Sequence, residues 1–154
     1  MSYVSILVHC VWSTWKRAPL LDKKYRYQIF RHLQIRAKEN GIWVDMINGY
    51  SDHIHCLISL QPDQKLSYII QLMKGESALW INQNIPMDQY FRWGRGYYAK
   101  SVGDDQLPIL RRYIERQEAH HVDVSWASEE RRYRKEINAL NAPFCPLPPT
   151  GRSS

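Results

Sequence analysis

At 154 residues, the chain is long enough for one domain with a real core and too short for two. Its 44% hydrophobic and 23% charged residues are the ordinary balance of a soluble globular protein. A formal net charge of +6, with six Trp and ten Tyr, suits a polyanion partner whose bases stack on aromatic rings, and equally a basic protein with a well-used aromatic core.

Cys10, Cys56 and Cys145 are odd in number, far apart and without a C-x-x-C pair. That argues against a disulfide framework or a zinc knuckle and for a reducing compartment. The opening run from Met1 to Trp12 shows no basic leader and no small-residue cleavage site. No stretch approaches the roughly 20 apolar residues of a membrane span, so a cytoplasmic protein is expected.

Residues 3–12 read as a first strand, with Val4, Ile6, Val8 and Cys10 on one face and Leu7, His9 and Val11 on the other. Apolar residues on both faces mark a central, doubly covered strand in which His9 is the polar exception. Trp12, Ser13, Thr14, Trp15, Lys16 and Arg17 then leave the sheet with aromatics and cations together. Trp12, Trp15, Lys16 and Arg17 are therefore candidate contacts for single-stranded nucleic acid, although two Trp near a strand end also serve as core lids.

Asp22 can cap a helix running to Asn40, where Gly41 stops it. Its apolar stripe is Tyr25, Ile29, Leu33 and Ala37, and its cations lie on other faces. Residues 42–50 form a second strand, and the turn-rich Asn48-Gly49-Tyr50-Ser51-Asp52 leads into a third over His53–Leu60, so the two should pair as a hairpin. On that third strand His53 and His55 stand two apart and project to the same face. Two imidazoles on one rigid strand make half of a divalent-metal site; the same pattern also fits one core and one surface histidine.

A second helix runs from Ser67 to before Pro86, with Lys74 and Gly75 in its middle. Glycine there costs about 1 kcal/mol relative to alanine, a cost that close approach of another backbone could offset. Lys74 joins the candidate nucleic-acid contacts. Residues 91–102 hold a Gly-punctuated bend and a fourth strand. Asp104 or Asp105 can cap a third helix reaching about His121, with Pro108 in its first turn, and a charged helical stretch follows over 128–140. The order β-α-β-β-α-β predicts an α+β, ferredoxin-like (RRM-like) split βαβ fold. Its antiparallel sheet carries helices on one face, the histidine strand lies centrally, and a further helix follows the last strand. Residues 1–142 read as the domain and 143–154 as a Pro-rich, mobile tail.

On the third helix Tyr113 and Gln117 stand at i and i+4, one turn apart on one face, with His120 and His121 just beyond. Tyr113 lies at the edge of the core stripe of Leu107, Leu110 and Ile114, where it also fits a rim residue with its hydroxyl in water.

Four blocks, in this order, resemble the single-tyrosine HUH transposases, the TnpA-type enzymes of small bacterial insertion sequences. They are His9 to Leu21, Asp52-His53-Ile54-His55-Cys56-Leu57-Ile58, Leu72-Met73-Lys74-Gly75, and Gly96 to Val102 with Tyr113 to His121. The resemblance implies that His53, His55 and Gln117 bind a divalent metal, Mg²⁺ or Mn²⁺, and that Tyr113 is the nucleophile. It implies a DNA transposase that nicks and rejoins single-stranded DNA with hairpin ends through a 5′-phosphotyrosine. It also implies a homodimer in which the tyrosine helix of one subunit completes the histidine site of the other. Two alternatives use the same surface: a domesticated binder of structured single strands that does not cut, and a metal-dependent phosphodiesterase with water as nucleophile. Trp15 and Cys56 depart from the family's usual residues, and the chain beyond about 125 matches less well.

Overall fold

A computed structural model of the chain describes residues 1–119 and 126–141. It divides into two units, Met1–Asp123 and Val124–Ser154. In the first unit, β1 (Leu7–Ser13) pairs antiparallel with β3 (His53–Ser59) on one side and β4 (Tyr98–Val102) on the other. β2 (Trp43–Gly49) pairs with the outer edge of β3, which gives the order β2-β3-β1-β4. The expected α+β, split βαβ fold is present, and the histidine strand is central.

β1 begins four residues later than the sequence suggests. Leu7 lies opposite Ser59 and Val102, the last residues of both neighbouring strands, so Tyr3, Val4 and Ile6 have no ladder to join and stay exposed.

The pairing register sorts the side chains into two faces. Cross-strand partners share a face, so Val8, Cys10 and Trp12 stand with Ile54, Cys56 and Ile58. These residues form one buried cluster with Ile29, Phe30 and Leu33 of α1 (Lys23–Glu39) and Ile69, Ile70, Met73 and Ile81 of α2 (Leu66–Asn84). The opposite face carries His9, Val11 and Ser13 of β1, His53, His55 and Leu57 of β3, Asn48 of β2, and Tyr98 and Lys100 of β4.

Local chemistry sets the boundaries of α1. The Asp22 carboxylate accepts a hydrogen bond from the Lys24 backbone N–H at 2.8 Å, and Gly41 takes a φ of +71° that ends the helix. The β2–β3 hairpin depends on Gly49, where a Cβ would collide with the His53 carbonyl. Within β2, Asp45 is an extra residue between Val44 and Met46, a bulge opposite the regular run of β3.

The third helix departs from expectation at both ends. α3 spans Leu107–Glu115, with Gln106 rather than Asp104 or Asp105 at its N-cap and Pro108 in the first turn. Arg116 leaves helical geometry at φ −98° and ψ 25°, and residues 117–119 resume helical backbone after that break. His120 and His121 lie outside the described residues, as does the stretch 142–154 that holds the expected tail.

In the second unit, α4 (Trp126–Asn141) matches the expected charged helix. Tyr133 donates its hydroxyl to Glu129 at 3.3 Å and Arg134 donates to Glu130 at 2.8 Å, both pairs at the i, i+4 spacing. Among the described residues, no helix is long and apolar enough to cross a membrane.

Candidate active site on the histidine face

His53 and His55 project from β3 on the face turned away from α1 and α2, and both are fully buried. Their rings meet edge to face with centroids 5.1 Å apart. A ligating nitrogen of one lies within 4.8 Å of a ligating nitrogen of the other.

Each ring is held from behind. His53 Nδ1 donates to the Asp52 carboxylate at 2.8 Å, which leaves its Nε2 directed at the Gln117 amide oxygen 3.3 Å away. His55 Nδ1 lies 2.9 Å from His9 Nε2, and the two rings stack at 15°. Such partners fix which nitrogen carries the proton and aim the other. His9 registered in the sequence only as a polar residue in an apolar strand. Its partnership depends on the antiparallel register, which sets it diagonally across from His55.

Two contacts dock α3 on this face, and a third ties the segment after it to α1. The Asn48 side-chain amide donates to the carbonyls of Ile114 and Glu115 at 2.9 and 3.1 Å, satisfying helix-end acceptors that have no partner within the helix. The bulge at Asp45 presents a carboxylate that takes two hydrogen bonds from Arg111, at 3.0 and 2.8 Å. Beyond the break, Glu118 lies 3.1 Å from Lys23 and 3.5 Å from the buried Arg26 of α1. Asn48, Asp45 and Arg26 gave no signal as site residues in the sequence because each acts through a partner 66 or more positions away.

Docked this way, the Tyr113 ring stands edge to face with His55 at 5.5 Å between centroids. Gln117 is buried, and its amide N–H donates to the Tyr113 carbonyl at 3.2 Å while its oxygen faces His53. The four sequence-predicted residues His53, His55, Tyr113 and Gln117 therefore meet within one chain. A depression of about 360 Å³ opens beside the tyrosine, lined by Ile109, Arg112, Tyr113, Arg116 and Ala119, so two guanidinium side chains flank it.

The donor set fits a divalent cation. Adjacent octahedral ligands at about 2.1 Å from an ion lie about 3 Å apart, close to the 3.3 Å between His53 Nε2 and Gln117 Oε1. Two imidazoles and an amide oxygen form a mixed nitrogen and oxygen set that leaves coordination positions open, unlike a closed four-thiolate cage.

The candidate nucleic-acid contacts divide. Trp12 is 1% exposed and sits in the core, edge-on to Trp93, so it offers no face to a base; it shares the side of β1 that carries Val8 and Cys10. Trp15 is partly exposed and is covered by the Arg92 guanidinium at 4.2 Å. Lys16 and Arg17 are exposed at the tip of a tight loop, and both have left-handed backbone, with φ of 54° and 56°. For non-glycine residues that geometry is strained and persists only where surrounding contacts impose it. Thr14 supplies such contacts: its backbone N–H donates to the Asp52 carbonyl, and its hydroxyl donates to the Ala18 carbonyl and lies 3.2 Å from that of Asp52. The cationic tip is thereby tied to the residue that orients His53. Lys74 Nζ donates to the Gly94 and Gly96 carbonyls at 2.6 and 3.0 Å, so it shapes the bend before β4.

The chain is 25% identical over 114 residues to the ISDra2 transposase TnpA of Deinococcus radiodurans, covering 71% of this chain and 81% of that one. It is 33% identical over 73 residues to the transposase of insertion sequence element IS200 from Salmonella typhimurium; there the match covers 44% of this chain and spans about half, 47%, of the relative. The fold matches a crystal structure of a protein assigned as a transposase from Deinococcus radiodurans R1, with a TM-score of 0.61 at 22% identity over 76% of this chain and 95% of that one. It also matches a REP-associated tyrosine transposase bound to a REP hairpin, with a TM-score of 0.55 at 16% identity over 82% and 73% of the two chains. The family model of IS200-like transposases matches residues 2–117, a span that includes His53, His55, Tyr113 and Gln117, and the chain belongs to that family.

Proposed function

We propose that this chain nicks and rejoins single-stranded DNA through a 5′-phosphotyrosine on Tyr113, with Mg²⁺ or Mn²⁺ held by His53, His55 and Gln117. The observation that carries the reading is the meeting of Tyr113 and Gln117 with the paired histidines on one buried face. Bound there, the cation would polarise the scissile phosphate and offset the charge that develops on it. Arg112 and Arg116, beside the tyrosine, would hold a phosphate diester at its hydroxyl. As the tyrosine oxygen bonds to phosphorus, its proton passes to solvent; the bond to the 3′ oxygen breaks, and that oxygen takes up a proton to become a free 3′-OH. The ester keeps the energy of the broken bond, so attack by a 3′-OH rejoins the strand without ATP.

The partner is single-stranded DNA with hairpin ends. The +6 charge and the exposed Lys16–Arg17 tip support it, as does the family's structural neighbour bound to a hairpin. Docking of α3 on its own sheet supports a site assembled within one chain. The homodimer that the resemblance implies would then pair two complete sites rather than share residues.

The test is direct. The protein is incubated with single-stranded DNA from the end of its own element plus Mn²⁺ and run on a denaturing gel. A covalent adduct that maps to Tyr113 is expected. Cleavage without an adduct would replace this reading with the phosphodiesterase, and binding without cleavage would replace it with the non-cutting binder.

A further inference from the structure

We propose that the cleft between α2 and the 90–97 segment receives one unstacked base of the DNA strand, seated on bare backbone at Gly75. The proposal deepens the single-stranded DNA reading and rests on it. The cleft has a volume of about 530 Å³, within the range of small-ligand sites, and lies apart from the histidine face.

Gly75 is the first reason. It stands mid-way along α2, where glycine destabilises a helix relative to alanine. Close approach of another backbone would explain it, yet a Cβ built at Gly75 meets nothing within 4 Å. Nothing in the packing of the described residues requires this glycine. Its bare backbone forms part of the cleft wall, so a side chain there would project into the space the cleft keeps open.

The walls are suited to a flat ring. Tyr90 and Tyr97 line the cleft and are 76% and 37% exposed, so neither ring is committed to the core. Ile70, Ala78 and Trp93 give an apolar floor, and the Trp93 indole N–H is already satisfied by the Ser77 hydroxyl at 2.9 Å. An aromatic, apolar slot accepts the face of any base, whereas its edge can reach the Gln71 side chain at the wall.

The rim is cationic. Lys74 is strapped to the Gly94 and Gly96 carbonyls, which uses two of its three N–H donors and holds the charge at the cleft. Arg92 lines the rim while its guanidinium covers Trp15, and Arg95 approaches the same ring at 5.9 Å. The Trp15 backbone N–H donates to the Arg92 carbonyl at 2.9 Å, so the rim is continuous with the Lys16–Arg17 tip. A strand whose phosphates follow those cations would bring a base to the cleft mouth.

The experiment uses Gly75→Ala and Gly75→Leu in the full chain, with a fluorescein-labelled single strand from the end of its own element, hairpin included, as probe. A series of the same strand carries one abasic site moved along its length. Both variants restore helix propensity, so thermal unfolding should show them at least as stable as wild type. Affinity should fall about tenfold for Gly75→Leu and less for Gly75→Ala. Wild type should lose a similar factor at one position of the abasic series, and Gly75→Leu should lose nothing further there. Tyr97→Leu should reproduce the loss. A flat abasic series, or wild-type affinity in Gly75→Leu, overturns the cleft assignment while leaving the DNA reading intact. Failure of wild type to bind the unmodified strand would sink the DNA reading itself.

Discussion

Across the same four strands, side chains one residue apart face opposite demands. Cys10, Ile54, Cys56 and Ile58 turn toward α1 and α2 and bury methyls and thiols in a cluster whose stability comes from area removed from water. His9, His53 and His55 turn the other way, equally buried, and each ring there must be matched to a polar partner: His9 to His55, Asp52 and Gln117 to His53. The first face tolerates any close-packed solution of the right volume. The second is set by donors and acceptors, and α3 is clamped onto it by Asn48 and Arg111 rather than by a broad apolar stripe, since Ile114 is the one buried residue of that helix. Packing holds the sheet together, and hydrogen bonds place the chemistry.

Substitutions should separate the two faces cleanly. The largest effect on activity belongs to Tyr113→Phe, which removes one hydroxyl and should abolish the DNA adduct, a loss of at least about 10³-fold, with unfolding temperature and metal binding unchanged. Mixed with His53→Ala, it should stay inactive even in proven heterodimers. Recovered cleavage would mean that α3 exchanges between subunits. On the packing face, Ile58→Ala should cost about 2–5 kcal/mol in urea unfolding, because its fully buried side chain leaves a cavity under both helices. If that variant lost activity with no change in stability, the division of labour between the faces would be wrong.

His53→Ala should lower Mn²⁺ affinity by about 100-fold, measured by the EPR signal of free Mn²⁺, with a stability change far below that of Ile58→Ala. Gln117→Ala should cost about tenfold in the same titration, since water can replace one weak oxygen ligand. Equal metal affinity in wild type and Gln117→Ala would remove the amide from the ligand set. The smallest effect is expected of His9→Phe, which keeps the ring volume and loses only the partner of His55 Nδ1. A reduction of severalfold in Mn²⁺ affinity without loss of fold would mark it as a positioning residue.

The fold was legible because its signals are local. Asp22 and Gly41 bracket α1, Gly49 marks the hairpin, and the alternation of β1 and β3 separates core from histidines. The same alternation, carried two residues past Cys10, puts Trp12 on the core side, so of the two readings offered for it the core lid holds. What the residues could not display was pairing at long range: the bulge that aims Asp45, the diagonal of His9 and His55, and the capping of α3 by Asn48. The break at Arg116 was hidden too, because an i, i+4 spacing of Tyr113 and Gln117 reads the same through a kinked helix as through a straight one. Gly75 was noticed for its cost, and the close approach that could offset it is not found among the described residues.

Cys10 and Cys56 stand opposite one another in register at the centre of the sheet, both free and fully buried. Burial pushes the Cys10 thiol up to about 12 and raises Cys56 as well. Only the thiolate reacts with an alkylating reagent, so the folded sheet withholds these sulfurs by access and by ionisation together. In a Cys145→Ser background, the rate of alkylation at saturating reagent becomes the rate at which β1 and β3 part. The two sulfurs should label as a pair, adding two alkyl masses with no singly labelled species, because parting the two strands uncovers both. The proposed Mn²⁺ ligands lie on the other side of the strands and the proposed DNA contacts lie away from the cysteine pair, so each ligand would bind only the closed sheet. Each should therefore slow the double labelling in proportion to its occupancy, reporting binding from thiols that touch neither ligand.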